Sequence, residues 1–377
     1  MSLLFEPLQI GPLEIANRFV RSATYFGLAD DNGCIGEKSI ELMRNLAVNQ
    51  VGLIMTGYAY INREGRCFAD MNGIDDDKQL PGYQAMTSAV HDSGGKIVMQ
   101  IAHGGDRSTA AIATGERHLA VSANKSDEGP IEMNDEDIES IIDAFGKSAA
   151  RVQESGFDGV QIHGAHGYLV TQFLSPSSNR RQDQWGGSLE NRMRFVVEVV
   201  RAIKRRVDAD FPVMIKLGCH DYLDKGEGMS IEEGAEVAAQ LEREGVSFIE
   251  VSHGMGGRAF RKISMGKESR PIAEAYLVPD ARIVRQSTTV PLAVVGGMRS
   301  LGVMESVLEE GAADCIAMSR PLIRQPELIM QWREGHTENA DCVSCFACLT
   351  TDKTGKSDIH CREILKKKKG KRAEAML

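Results

Sequence analysis

Residues 161–176 read QIHGAHGYLVTQFLSP, which crowds His163, His166 and Tyr168 onto one short turn directly after an apolar run. An imidazole donates a hydrogen bond from a ring N–H, so two converging imidazoles can hold one carbonyl or nitro oxygen and draw electron density from it. The phenol of Tyr168 adds a proton donor of high pKa. The set reads as one that polarises a substrate and then protonates it. The plain structural alternative is a strand-end histidine bonded to backbone. The spacing could also begin a zinc site, but no nearby carboxylate or cysteine completes three ligands.

Other chemistry-bearing residues close further apolar runs. Gln100 can make paired amide hydrogen bonds to a heterocycle edge, and Lys216 can stabilise negative charge on a reduced ring. In VVGGMRS, Gly296 and Gly297 would let backbone N–H groups approach a phosphate, with Arg299 early in the following helix. MSRPLI then offers Ser319 and Arg320. Ser22, Ala23 and Thr24, followed by Tyr25, and Thr56 with Gly57 and Tyr58, supply small residues and aromatics against which a flat ring could lie. His253, in EVSHGMGGRAF, either faces substrate or is a loop histidine with backbone partners. Together these residues suit a phosphorylated planar heterocycle.

The elements that must position them alternate in kind. Eight short β-branched or apolar runs stand at 18–23, 51–57, 96–102, 159–164, 213–218, 247–252, 292–297 and 314–319. Segments of helical spacing separate them, among them 136–156, 188–207 and 232–245. Gly156 and Gly245 can end two of these helices, and Asp135, Ser188 and Ser230 stand where N-caps are wanted. The strands read as continuous apolar runs, which predicts burial on both faces of a parallel sheet. Eight such units predict a closed (β/α)₈ TIM barrel, whose chemistry gathers at the C-terminal ends of the strands and whose last two loops commonly hold phosphate. Two long connections, 103–134 and 253–276, are expected to leave that face and roof the site.

Composition narrows the class. The chain of 377 residues is 42% hydrophobic and 26% charged, as for an ordinary globular protein with a large core. A net charge of −9 speaks against a broad nucleic-acid footprint. The run KKKKGKR at 366–372 reads as a solvated tail. No stretch approaches a membrane span and no apolar signal core opens the chain, so a cytoplasmic protein without membrane attachment is expected. Of eight cysteines, Cys34, Cys67, Cys219 and Cys315 are scattered and read as small buried hydrophobes, whereas Cys342, Cys345, Cys348 and Cys361 crowd the C-terminal stretch.

This pattern resembles the Old Yellow Enzyme family of FMN-dependent oxidoreductases. The likeness is carried by NRFVRSATY (17–25), QIAHGG (100–105), the block FDGVQIHGAHGYLVTQFLSPSSNRRQDQWGGSLENRMRF (157–195), VVGGMRS and MSRPLIRQPEL (318–328), in order over roughly residues 3–335. It implies FMN, with Thr24 near the flavin N5 and O4 edge, Gln100 on the pyrimidine edge, Lys216 near N1 and O2 where many members have Arg, and phosphate held around Gly297, Ser319 and Arg320. Many relatives have Gly in place of Ser319. It further implies that His163 and His166 bind the oxygen of an activated alkene, that hydride passes from flavin N5 to the β carbon, and that Tyr168 protonates the α carbon.

The tail, Cys342-x2-Cys345-x2-Cys348-x12-Cys361, resembles the cluster-bearing branch that includes 2,4-dienoyl-CoA reductase and trimethylamine dehydrogenase, with one residue fewer between the second and third cysteine. Four thiolates so spaced suit a [4Fe-4S] cluster or zinc, His360 could substitute as a ligand, and an empty site is the third possibility. The expected organisation is an FMN-binding barrel over 1–335 and a cysteine-rich extension over 336–377. The electron donor is then NAD(P)H or a separate electron-transfer protein. Three functions follow: an ene-reductase acting on α,β-unsaturated carbonyl compounds, a dehydrogenase or demethylase passing electrons through the tail to a partner, and a non-redox phosphate-binding barrel. A homo-oligomer is compatible with each.

Overall fold

In a computed structural model, which describes residues 2–123, 129–265, 272–349 and 359–364, the eight apolar runs are the eight strands of one closed parallel barrel. They are β1 (Phe19–Arg21), β2 (Leu53–Met55), β3 (Ile97–Ala102), β4 (Val160–Gly164), β5 (Val213–His220), β6 (Phe248–His253), β7 (Leu292–Val295) and β8 (Cys315–Met318). Each pairs in parallel with the next, and β8 pairs with β1, so no edge is left open. A two-residue strand not anticipated from the sequence, Ala59–Tyr60, adds to the end of β3.

Amphipathic helices wrap the barrel, among them α1 (Glu37–Val48), α2 (Leu80–His91), α3 (Asp135–Glu154), α4 (Leu189–Lys204), α5 (Ile231–Arg243), α6 (Val278–Arg285) and α7 (Leu301–Glu309). Their apolar stripes and the outward strand residues form one continuous core. Ser188 and Ser230 cap α4 and α5 as expected, and Gly156 and Gly245 take positive φ just beyond α3 and α5. The cap of α3 is Asn134 rather than Asp135. Its side chain accepts from the Asp137 N–H at 2.8 Å while the Asp137 carboxylate accepts from the Asn134 N–H at 3.0 Å. This reciprocal box needs an acid three residues after the cap, a spacing only Asn134 satisfies. Asp135 becomes the first helical residue and accepts from the Trp185 indole at 2.7 Å.

Period-two alternation splits the barrel interior into layers. A short N-terminal hairpin (Leu8–Ile10, Leu13–Ile15) stoppers the bottom, and Val20, Leu53, Val98, Met214 and Phe248 pack above it. The long connection after β3 is more ordered than its sequence suggested: it holds a helical turn at Thr109–Ala113 and pairs Leu119–Ala120 with Ile131–Glu132. That after β6 holds a helix at Arg258–Ser264. The basic run at 366–372 lies outside the described residues. Among the described residues no helix is long and apolar enough to cross a membrane.

Candidate active site at the mouth of the barrel

Two residues on from Val20, Val98, Met214 and Phe248, the inward-facing positions turn polar: Ser22, Gln100, Lys216 and Glu250. Register sets Gln100 of β3 beside Gln161 of β4, and Lys216 of β5 beside Glu250 of β6. The Gln100 amide donates to Gln161 at 2.7 Å, and Gln161 donates to Glu250 at 3.1 Å. The Lys216 ammonium lies 3.0 Å from Glu250 and donates to the Ser22 hydroxyl at 2.6 Å. Ser22 in turn donates to Glu250. Glu250 is wholly buried and Lys216 is 2% exposed, so this is a paired charge inside the barrel rather than a free cation.

Above this layer opens a cleft of about 610 Å³ at the C-terminal ends of the strands. His163 ends β4 opposite Lys216 and is buried. The chain then turns sharply: His166 takes φ +63°, its N–H donates to the His253 carbonyl at 3.1 Å, and its Nε2 pairs with the Ser252 hydroxyl at 2.9 Å. Gly167 follows at φ +72°, and a Cβ there would meet the Arg107 guanidinium, so any side chain must strain the left-handed backbone and displace Arg107. Arg107 donates to the His166 carbonyl at 2.6 Å. The rings of His163 and His166 meet edge to face at 5.2 Å, and His253 lies 4.5 Å beyond His166. The turn therefore brings His163, His166 and Tyr168 together, and β6 adds His253.

Burial, reinforced by the Lys216 charge and by the neighbouring imidazoles, holds His163 and His166 well below the ordinary histidine range. Burial pushes His253 down to about 3. The imidazoles are accordingly neutral near pH 7, each with one N–H to donate. Among the described residues the Nδ1 of His163 is buried without a hydrogen-bond partner. Burial also raises the Tyr168 phenol, which keeps its proton until a stronger base arrives. Its hydroxyl is 3.0 Å from that of Tyr58.

Ser22, Ala23, Thr24, Tyr25, Tyr58, Lys216, His253, Ser319 and Arg320 line the cleft, whereas Gly57, Gln100, His163, Gly296 and Gly297 are not among its lining residues. Thr24 bonds Ser319 and Arg21, whose wholly buried guanidinium is lowered by that burial to about 10. Tyr25 donates to Asp70. Gly57 stands behind the wall, its carbonyl accepting from Thr56 at 2.9 Å and Asn72 at 3.3 Å. Gly296 and Gly297 both take positive φ after β7 and are overlain by the Tyr276 ring. Arg320 donates to the carbonyls of Ser264 at 3.4 Å and Ser344 at 3.3 Å and lies 4.1 Å over the Phe346 ring. It thus joins the barrel mouth to the tail.

Cys342, Cys345, Cys348 and Cys361 line a single second cavity beside Arg320 and Arg324, whose guanidinium is 3.7 Å from the Cys361 sulfur. Although the four thiols share this cavity, among the described residues no three His, Cys, Asp or Glu side chains close on one point as a single metal ion requires. A zinc ion holds its sulfurs about 2.3 Å away.

Sequence reading missed Gln161, Glu250 and Arg107. A carboxylate inside the buried run FIEVS and an amide inside VQIHG were the available signals, since an unpaired polar group there would be costly. Arg107 carried none, because its contact depends on how a long connection folds back.

The family model described as NADH:flavin oxidoreductase / NADH oxidase family matches residues 3–339. A metal reductase of Desulforamulus reducens is 35% identical over 350 residues, covering 92% of this chain and 51% of that protein. An NADPH dehydrogenase of Geobacillus sp. is 34% identical over 328 residues, covering 86% of this chain and 92% of that one. Among solved structures, a 2-naphthoyl-CoA reductase in complex with 2-naphthoyl-CoA superposes with a TM-score of 0.85 at 27% identity, over 95% of this chain and 56% of that chain. The present chain spans about half the length of the first and third of these proteins.

Proposed function

Because the chain belongs to the NADH:flavin oxidoreductase / NADH oxidase family, which is the Old Yellow Enzyme family its sequence resembles, we propose that it is an FMN-dependent oxidoreductase that reduces activated C=C bonds. The substrate class is an α,β-unsaturated carbonyl compound and the electron donor NADH or NADPH. One observation carries the reading: the neutral imidazoles of His166 and His253 and the protonated phenol of Tyr168 face the same cleft that Thr24, Lys216, Ser319 and Arg320 line.

The residues present fit FMN. The cleft is of a size usual for a cofactor site. The unpartnered Nδ1 of His163 offers a polar contact. Gly296 and Gly297, both of positive φ, stand where backbone N–H groups would approach the phosphate. Thr24, Gln100 and Lys216 would hold the ring edges, and Gly297, Ser319 and Arg320 the phosphate. FMN, when bound, supplies the hydride. His163 and His166 donate N–H groups to the substrate carbonyl oxygen and draw charge towards it, which makes the β carbon electron-poor. Tyr168 delivers its proton to the α carbon. Residues 1–335 would form the FMN barrel and 336–377 the extension.

The cysteine-lined cavity favours a related reading in which a [4Fe-4S] cluster passes electrons between the flavin and a partner protein. The four thiols share one cavity, and Arg320 and Arg324 beside them would offset the negative charge of such a group. Anaerobically purified protein should then carry iron and acid-labile sulfide, lost in Cys345→Ser. Zinc in their place would remove this reading and leave the first intact.

The ene-reductase assignment is tested with Tyr168→Phe. Reoxidation of the reduced flavin by 2-cyclohexen-1-one should slow by about 10²-fold or more, while flavin reduction by NAD(P)H stays near the wild-type rate. Equal loss in both half-reactions would show that the phenol is not the proton donor.

A further inference from the structure

The Tyr168 hydroxyl makes one hydrogen bond among the described residues, and it goes to another phenol. Tyr58 follows β2 and is 8% exposed. Its ring packs 5.5 Å from Tyr168, 5.4 Å from His163 and 5.9 Å from Tyr25. Thr56 and Asn72 both bond the Gly57 carbonyl, so the backbone that carries Tyr58 is fixed. The two hydroxyls sit 3.0 Å apart, and among the described residues neither is hydrogen-bonded to a carboxylate, an ammonium or an imidazole.

That isolation creates a problem for a single-phenol donor. When Tyr168 loses its proton, a phenolate is left in a site whose burial opposes the charged form. Among the described residues the Tyr58 hydroxyl is the group hydrogen-bonded to it, with the Arg107 charge adding support from further away, and Tyr58 also lines the open cleft. We propose that Tyr58 is a second proton-handling residue, donating its hydrogen bond to Tyr168 as the phenolate forms and then returning a proton to it from solvent.

This rests on Tyr168 being the donor. The Tyr168 O–H bond breaks as a C–H bond forms at the α carbon, leaving a phenolate on Tyr168. The Tyr58 proton then crosses the 3.0 Å contact, and water at the cleft reprotonates Tyr58, so each turnover takes up one proton from solvent. Tyr58 acts through Tyr168. Burial raises the Tyr58 phenol as well, and the Tyr168 charge raises it further, so Tyr58 is protonated when required.

The test uses dithionite-reduced holoenzyme mixed with 2-cyclohexen-1-one in mixtures of H₂O and D₂O. Wild type should give a bowed proton inventory, because the Tyr58 hydrogen bond tightens in the same step in which the Tyr168 proton moves. Tyr58→Phe should reoxidise on the order of tenfold more slowly, the loss of one hydrogen bond to a developing charge. Its inventory should be linear, with FMN content and reduction by NAD(P)H unchanged. Should Tyr58→Phe fold poorly, 3-fluorotyrosine at position 58 keeps the shape and the donor, and must keep the bowed inventory. A Tyr58→Phe enzyme with wild-type rate and curvature, beside a slowed Tyr168→Phe, would overturn the role of Tyr58 alone. An unaffected Tyr168→Phe would overturn the donor assignment and the role of Tyr58 with it.

Discussion

The residue that changes meaning most between sequence and structure is Lys216. From its type it reads as a cation facing a reduced ring; in the barrel it is already paired with Glu250, and both are held by Ser22 and the two glutamines. Breaking a buried pair from one side leaves an uncompensated charge. Lys216→Met should therefore lower the unfolding free energy by about 3–5 kcal/mol, and Lys216→Met with Glu250→Gln should recover most of it. Urea unfolding of the three proteins checks this, and simple additivity of the two losses would contradict the pairing. The imidazoles set a pH dependence of known sign. His253 is depressed by burial to about 3, so between roughly pH 6.5 and 3 the unfolded chain binds more protons than the fold, and stability falls as pH drops through that window. The slope is at most about 1.4 kcal/mol per pH unit for this one group. His253→Asn should flatten the fall of unfolding free energy between about pH 6 and 4, and an unchanged slope would mean that His253 titrates in the fold as it does in the unfolded chain.

At the scale of the element, the strands were legible because burial on both faces removes polar residues, and each of the eight runs became a barrel strand within a few residues of its expected bounds. What periodicity could not show was the inward parity of the polar exceptions, which depends on register: Glu250 becomes intelligible only once it lies beside Lys216. The cap of α3 went one residue astray for a similar reason, since Asp and Asn are equally good caps and the reciprocal bond to Asp137 decides between adjacent positions. Asn134→Ala should destabilise the protein by about 1 kcal/mol, read as a shift of the unfolding midpoint with unchanged denaturant slope. The turn after β4 is the element on which the site depends. Gly167→Ala has to displace Arg107 and strain the left-handed backbone, so we expect a loss of stability of about 1–3 kcal/mol together with weaker binding of phenols that mimic an enolate. Stability lost with phenol binding intact would separate the turn from the site.

Across the whole molecule, the barrel closes its floor with a hairpin and opens a cleft at the C-terminal strand ends, where Ser22 and Lys216 of the buried polar layer line the cavity. The tail returns to that face. Arg320 spans the cleft and the Ser344 carbonyl, and Arg21 reaches Thr24 from the side where Cys348 lies, so the cysteine cavity is electrostatically continuous with the proposed flavin site. Spacing alone revealed that four cysteines belong together; that they share arginines with the barrel mouth required the fold. All the proposed chemistry depends on a flavin in the cleft. The most direct measurement is the visible spectrum of the purified chain, before and after denaturation, with FMN quantified in the released fraction. The expected result is a yellow protein that releases close to one FMN per chain. A colourless protein that takes up no FMN when the cofactor is supplied in excess would contradict the account.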